Sequence, residues 1–338
     1  MSASPSALFF TVAGAGAGLG HVKRCAALGS ALAGLGASVR FAVAGDAQRL
    51  GQLGTTLPGF EALQWIGSPR LTLEIAERSG ADLVVVDAYR ATDELLRALR
   101  AGGAVVAAID DLADRELPVD VVVNGAYRAE RRPYAEVSGR RLLLGPRFTL
   151  LDPGFADVPP RAGRPAVSRV LVTLGGEDAA AVVAAAVAAV ERAAPGAVVD
   201  LAVGPFARAA SAYGVHVKLH HGLPSLRDLL LEADFAVTAA GMTLYECLAA
   251  GTPAVAVPLA DNQKPNFDEL TGAGLVLPGQ PDLAAAVDRL SRDVGLRREL
   301  AARGRELVDG RGAARVAAEL VRAVAMAAPG AGTGRGSR

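Results

Sequence analysis

Residues Ala7–Leu35 read ALFFTVAGAGAGLGHVKRCAALGSALAGL, and their order decides the fold class. The apolar run Ala7–Val12 gives way to glycines at 14, 16, 18 and 20, then to a helical pattern from about His21 to Leu35. A short apolar strand, a glycine turn and a longer helix make the first half of a βαβ unit. The glycines let backbone approach a ligand closely, and the helix start favours negative charge. His21 heads that helix and has the chemistry of a general base, because imidazole titrates near neutral pH. A flexible turn with a capping histidine is the plainer alternative. The dinucleotide fingerprint GxGxxG fails, since Gly14 and Gly16 are followed by Leu19 where the third glycine belongs.

The same alternation continues outward. Strands are expected at Ser38–Val43, Ala62–Ile66, Asp82–Asp87, Ala104–Ile109, Val119–Asn124 and Arg141–Leu144, with helices at Leu71–Arg78 and Asp93–Ala101. Around Asp157–Pro165 the text turns to proline without periodicity, which reads as an interdomain linker. The pattern then restarts, with strands at Arg169–Thr173, Val198–Val203, Val215–Leu219, Phe235–Thr238 and Ala254–Pro258. Wholly apolar short strands alternating with helices argue for parallel sheets covered on both faces. The expectation is an α/β chain of two Rossmann-like domains facing across a cleft. Residues 1–156 form the first domain, 157–165 the linker, 166–327 the second domain and 328–338 a disordered tail. The last helix, Gly312–Ala327, could cross back onto the first domain.

Composition narrows the function. A chain of 338 residues suits two domains at roughly 150 residues each. The 35 Lys+Arg balance 35 Asp+Glu, so no global field holds nucleic acid or an anionic membrane. Two cysteines, Cys25 and Cys247, are too few for a disulfide framework or a cysteine-rich zinc site. The start lacks the basic residues of a secretory signal, and the longest apolar run, Ala179–Val190, is too short to span a bilayer. A cytoplasmic protein is expected, with a small-molecule partner, no nucleic acid and no membrane span.

Ligands of open α/β sheets bind beyond the carboxyl ends of the strands, where three further loops stand out. Gly175-Gly176-Glu177-Asp178 opens a long helix and offers amides to a phosphate, or is an ordinary strand-to-helix turn. Gly241-Met242-Thr243 starts another helix, with Glu246 one turn on. This is either a diphosphate-and-ribose site or a capping box of Thr243 with Glu246. Asp261-Asn262-Gln263 either reads sugar hydroxyls or caps a helix. Asp87, Tyr89 and the pair Asp110-Asp111 also sit at strand ends; for the pair, capping is favoured over a divalent ion.

In order along the chain, GLGHVKRCAALGSAL (18–32), DLVVVDAYRATDELLRAL, VVAAIDDLADRELPVDVVVNGAY, LLLGPRFTLLDPGF, VLVTLGGED and ADFAVTAAGMTLYECLAAGTPAVAVPLADNQ form one ordered set. This set resembles the nucleotide-sugar hydrolases of the pseudaminic acid pathway and their spore-coat polysaccharide relatives. Those have the glycosyltransferase-B architecture, and the second half is also similar to the N-acetylglucosaminyltransferase that makes lipid II. The resemblance implies a metal-independent UDP-sugar enzyme with no cofactor. Gly176 and the Gly241–Thr243 amides would meet the diphosphate and Glu246 the ribose. His21, between Gly18 and Gly20 of the loop and the helix, would deprotonate the attacking water. Asn262, grouped with His21 in catalysis, and Gln263 would contact the sugar, with Asp87 and Tyr89 lining the opposite wall. Hydrolysis to UDP and a free amino or deoxy sugar is the first expectation. Inverting transfer to an alcohol acceptor is the alternative, and a non-catalytic nucleotide-sugar-binding protein the second alternative.

Overall fold

A computed structural model describes residues 4–13, 19–45, 60–62, 65, 68–134, 139–161, 163–175, 180–204 and 216–328. The chain divides into two compact units, Met1–Pro153 joined by the stretch from Arg311, and Gly154–Gly310.

Among the described residues the first unit carries seven strands: β1 (Ser6–Val12), β2 (Ser38–Ala44), β3 (Phe60–Ala62), β4 (Leu83–Asp87), β5 (Val105–Ile109), β6 (Val121–Asn124) and β7 (Arg141–Leu144). They run parallel in the order β3-β2-β1-β4-β5-β6-β7. Helices α1 (Gly20–Gly34), α2 (Pro69–Ser79) and α3 (Asp93–Ala101) connect them. Alternation along each strand sends side chains to opposite faces. Ala7 and Phe9 therefore pack with Leu28 and Leu32 of α1, whereas Leu8 and Phe10 pack with Ile75 of α2 and Leu96 and Leu99 of α3. Both faces are buried, which is why the strands read as unbroken apolar runs. The Thr92 hydroxyl accepts from the Leu95 amide at the start of α3, and Asp93 and Glu94 in its first turn suit the helix dipole.

The second unit holds β8 (Arg169–Thr173), β9 (Val198–Val203), β10 (Val217–His221), β11 (Phe235–Ala239), β12 (Ala254–Val257) and β13 (Leu277–Pro278). These too are parallel, in the order β10-β9-β8-β11-β12-β13. Its helices are α4 (Ala180–Ala193), α5 (Arg227–Glu232), α6 (Met242–Ala250), α7 (Lys264–Gly272), α8 (Leu283–Arg292) and α9 (Val294–Leu307). One sheet face packs Val172, Leu201, Phe235 and Val255 against Val187 of α4 and Val287 and Leu290 of α8. Both sheets change direction beside their first strand, between β1 and β4 and between β8 and β11. That is the doubly wound order, with a ligand-binding crevice at each switch point.

The structure departs from the sequence reading in several places, among them the first domain's end, which lies at Pro153 and not at 156. The strand described near the expected 62–66 is β3, Phe60–Ala62, and residues 63, 64 and 66 of the expected span lie outside the described residues. Trp65 is buried beyond it, its indole N–H donating to the Thr11 carbonyl at 3.1 Å and its ring edge-on to Phe10. Asp157–Pro165 is no free linker: it belongs to the second unit. Arg305 donates to the carbonyls of Val158 and Pro159, while Arg161 reaches the Leu230 carbonyl and the Thr252 hydroxyl. The last helix, α10 (Gly312–Ala327), sits on the first unit, the crossing back that the sequence reading allowed although its domain bounds kept the helix in the second, because Val316, Ala317 and Leu320 complete the core around Leu28 and Leu32. Of the tail assigned to 328–338, residues 329–338 lie outside the described residues.

Candidate active site

Asp87 ends β4 beside Thr11 of β1, so it projects at the switch point of the first sheet. His21 lies in the first turn of α1, which follows β1, and its Nδ1 is 2.6 Å from Asp87 Oδ1. A carboxylate only accepts, so this contact places the proton on Nδ1 and leaves Nε2 as the base. Among the described residues Nε2 has no hydrogen-bond partner.

One helical turn on, Arg24 faces the same way. Its Nε and Nη2 donate to the two oxygens of Asp87 at 2.7 Å each, and Nη1 donates to both oxygens of Asp111 at 2.8 and 2.7 Å. Cys25 Sγ lies 3.4 Å from Asp87 Oδ2. Asp87 itself is 0 % exposed. Burial alone would raise its carboxyl, but the Arg24 and His21 charges and hydrogen bonds outweigh that and hold it well below the ordinary carboxylate range. Burial works against the Arg24 charge too, yet Asp111 and Asp87 raise it further. Asp87 is therefore an ionised carboxylate standing behind the imidazole.

Tyr89, two residues beyond Asp87, is partly exposed and sets its ring edge-on to His21, with centroids 4.9 Å apart. Its hydroxyl donates to Asp111 Oδ2 at 2.8 Å. Burial, then the Asp111 charge, push the phenol far above its usual range, so it stays a donor. Asp110 caps its own turn, accepting from the amides of Leu112 and Ala113. It also accepts from the Tyr134 hydroxyl at 2.6 Å, which in turn takes a bond from Asn124 Nδ2 at 2.8 Å.

In the second unit, α6 begins at its own switch point, after β11. Gly241 is the N-cap, and no side chain caps the helix. The capping-box alternative therefore falls: Thr243 lies inside the first turn. The first amides of α6 are the ones a helix start leaves without intrahelical partners. A side chain at Gly241 would begin 3.8 Å from Gln263 Nε2. Gln263 Oε1 accepts from the Leu259 amide at 3.0 Å, which fixes the carboxamide with its N–H₂ toward that glycine. Asn262 is exposed, and neither Asp261 nor Asn262 caps the helix that follows. Glu246 is half-buried on the second turn of α6.

The structure thus brings His21, Asp87 and Tyr89 together in one unit, and Gly241, Met242, Thr243 and Gln263 together in the other. Gly20 opens α1 beside His21. Gly18 and Gly176 lie outside the described residues. Asp87, expected to line a wall against substrate, is corrected: it is sealed behind His21, its oxygens taken by three neighbours. Sequence reasoning missed Arg24 and Asp111 as partners of the site. The signal for Arg24 was its spacing three residues after His21; Asp111 was marked only as one of a strand-end pair, and its link to Arg24 and Tyr89 comes through the fold.

No protein-family model matches the chain. It is 26% identical over 259 residues to the spore coat polysaccharide biosynthesis protein SpsG of Bacillus subtilis (strain 168), covering 71% of this chain and 76% of that protein. Among solved structures it is similar to the glycosyltransferase SnogD from Streptomyces nogalater, with a TM-score of 0.62 at 23% identity, covering 95% of this chain and 99% of that one. It is also similar to LpCGTa in complex with UDP, with a TM-score of 0.68 at 14% identity, covering 96% and 100%. With two parallel, doubly wound units in tandem, the chain has the glycosyltransferase-B fold.

Proposed function

We propose that the chain is an enzyme acting on nucleotide sugars, and that it transfers the sugar to an acceptor hydroxyl. The observation that carries this reading is the ionised, buried Asp87 against His21 Nδ1, which leaves Nε2 as the base at the sheet's switch point. Nε2 takes the acceptor proton, the acceptor oxygen attacks the anomeric carbon, and the bond from that carbon to the diphosphate oxygen breaks. The nucleoside diphosphate departs as an anion. The N-terminal amides of α6 at Gly241, Met242 and Thr243, with the Gln263 amide, and Gly176 offset its charge. Glu246 takes the ribose diol and Asn262 and Gln263 the sugar, while Gly18 and Gly20 are assigned to substrate binding beside His21. Tyr89 and Leu112, both exposed, give the acceptor an apolar rim.

Likeness to a glycosyltransferase and to a UDP complex supports a nucleotide-sugar donor and favours transfer, the alternative in the sequence reading, over hydrolysis. The SpsG relative supports a role in polysaccharide biosynthesis. Hydrolysis is the second reading, favoured by the resemblance of residues 18–32 to the hydrolases, since an imidazole takes a proton from water as readily as from an alcohol.

The test is a product mass spectrum after incubation with UDP-, dTDP- and GDP-sugars, with and without acceptor alcohols. Nucleotide release that requires the alcohol supports transfer. Prompt release without it supports hydrolysis, and tight binding with no release in either case overturns both in favour of a binding protein.

A further inference from the structure

Five side chains of the first unit close into a ring: His21 to Asp87, Asp87 to Arg24, Arg24 to Asp111, Asp111 to Tyr89, and Tyr89 back to His21. They come from three separate places, the head of α1, the end of β4 and the end of β5. Arg24 Nη2 lies 3.2 Å from His21 Nδ1, and besides this contact the imidazole is gripped at two points. Asp87 holds Nδ1, and the Tyr89 ring meets it edge-on. Followed away from His21, both grips end at Asp111. Its Oδ1 and Oδ2 fix Arg24, whose remaining donors fix the two oxygens of Asp87, and its Oδ2 also fixes the Tyr89 hydroxyl. The loop carrying Asp111 is itself pinned, because Arg132 donates to the Asp111 carbonyl.

We propose that Asp111 is a positioning residue for His21, acting through Arg24 and Tyr89 together. Asp87 by itself holds one ring nitrogen and leaves the ring free to swing about that contact. A long arginine side chain has several rotamers, and its planar fork presents Nε and Nη2 squarely to Asp87 only while Nη1 is anchored elsewhere. Asp111 provides that anchor. It also selects the rotamer of Tyr89, whose ring blocks the swing of the imidazole. The charges facing His21 are Asp87 from β4 and Arg24 from its own helix, with Asp111 beyond Arg24. Asp111 touches neither His21 nor, in the reading above, the substrate. The catalytic consequence rests on that reading, whereas the effect on the imidazole does not.

The test uses the full chain with ¹⁵N-labelled histidine, His21 being assigned by its loss in His21→Ala. In the wild type the neutral His21 ring is a single tautomer, protonated at Nδ1. In Asp111→Asn the Nε2-protonated form appears. Turnover falls about 10- to 100-fold, the scale of a misplacement near 1 Å, while the donor KM holds. Asp111→Glu restores both, and Tyr89→Phe gives a partial loss of each. An unchanged tautomer together with an unchanged rate in folded Asp111→Asn overturns the proposal. So does a fall in donor affinity with the tautomer intact. Should Asp111→Asn fail to fold, Tyr89→Phe decides, since it removes one hydroxyl from a partly exposed ring; wild-type tautomer and rate in that variant overturn the proposal. The spectra need no substrate, so a chain that turns over no nucleotide sugar defeats the functional reading without touching the spectral result.

Discussion

Asp87 Oδ1 lies 2.6 Å from His21 Nδ1 with Asp87 wholly enclosed, so the imidazole has one ring nitrogen fixed by an ionised carboxylate and the other without a hydrogen-bond partner among the described residues. Residues 66 apart in sequence meet here because β1 and β4 are neighbours in the sheet and α1 springs from the end of β1.

His21→Ala removes the base and leaves the Arg24 pairs with Asp87 and Asp111 in place. Turnover of the nucleotide sugar is expected to fall by about 10²- to 10⁴-fold, the usual worth of a positioned base. Nucleotide binding measured by calorimetry stays near wild type. Undiminished turnover would remove His21 from the chemistry.

Asp87→Asn acts on stability as well as rate. Removing one partner of a buried pair costs roughly 3 kcal/mol, read as a shift in the denaturation midpoint. The folded carboxyl is held below its ordinary range, so its stabilising contribution is complete above about pH 4 and is lost as pH falls from there toward the depressed value. Unfolding free energy plotted against pH should therefore drop less steeply on the acid side in Asp87→Asn than in wild type. Parallel acid limbs would contradict the assigned shift.

Gly241→Ala probes the second unit. The glycine has φ −101°, open to any residue, and an added Cβ meets nothing closer than Gln263 Nε2 at 3.8 Å. Folding does not demand glycine there. The variant should melt as wild type while its donor KM rises about tenfold, equivalent to about 1.4 kcal/mol. An unaltered KM would place the diphosphate elsewhere.

Gly312→Ala tests the return of α10 to the first unit. A Cβ there would stand 2.1 Å from the Thr149 carbonyl oxygen, a backbone atom that cannot turn aside. A loss of about 1–3 kcal/mol is expected, the usual cost of overpacking. Gly34→Ala, near the end of α1 with nothing within 4 Å of the added atom, is the control. It should be neutral or slightly stabilising. Equal melting of the two variants would deny the close approach.

Much of this was legible along the chain. Runs such as Leu83–Asp87 and Phe235–Ala239 announce buried parallel strands because both their faces must be apolar. The glycine before α1 and the one before α6 announce tight turns into helices, and so mark both switch-point loops. β13 was invisible, since two residues carry no period. The fate of 157–165 was hidden because its order comes from arginines far along the chain, Arg305 among them. At the site, His21 could be singled out by its place at a helix head. The role of Asp87 could not, because a strand-end aspartate faces a ligand or backs a histidine with the same sequence around it.

By itself, the sequence determined the class of fold, two successive α/β halves, and the loops where a ligand would lie. Those follow from local periodicity and turn chemistry, which act between residues near each other in the chain. The tertiary structure decided which half receives α10, that Asp87 is sealed behind His21, and that Arg24 and Asp111 complete the set. These depend on strand order, which places β4 beside β1 and β5 beside β4 and so brings distant charges within hydrogen-bond reach.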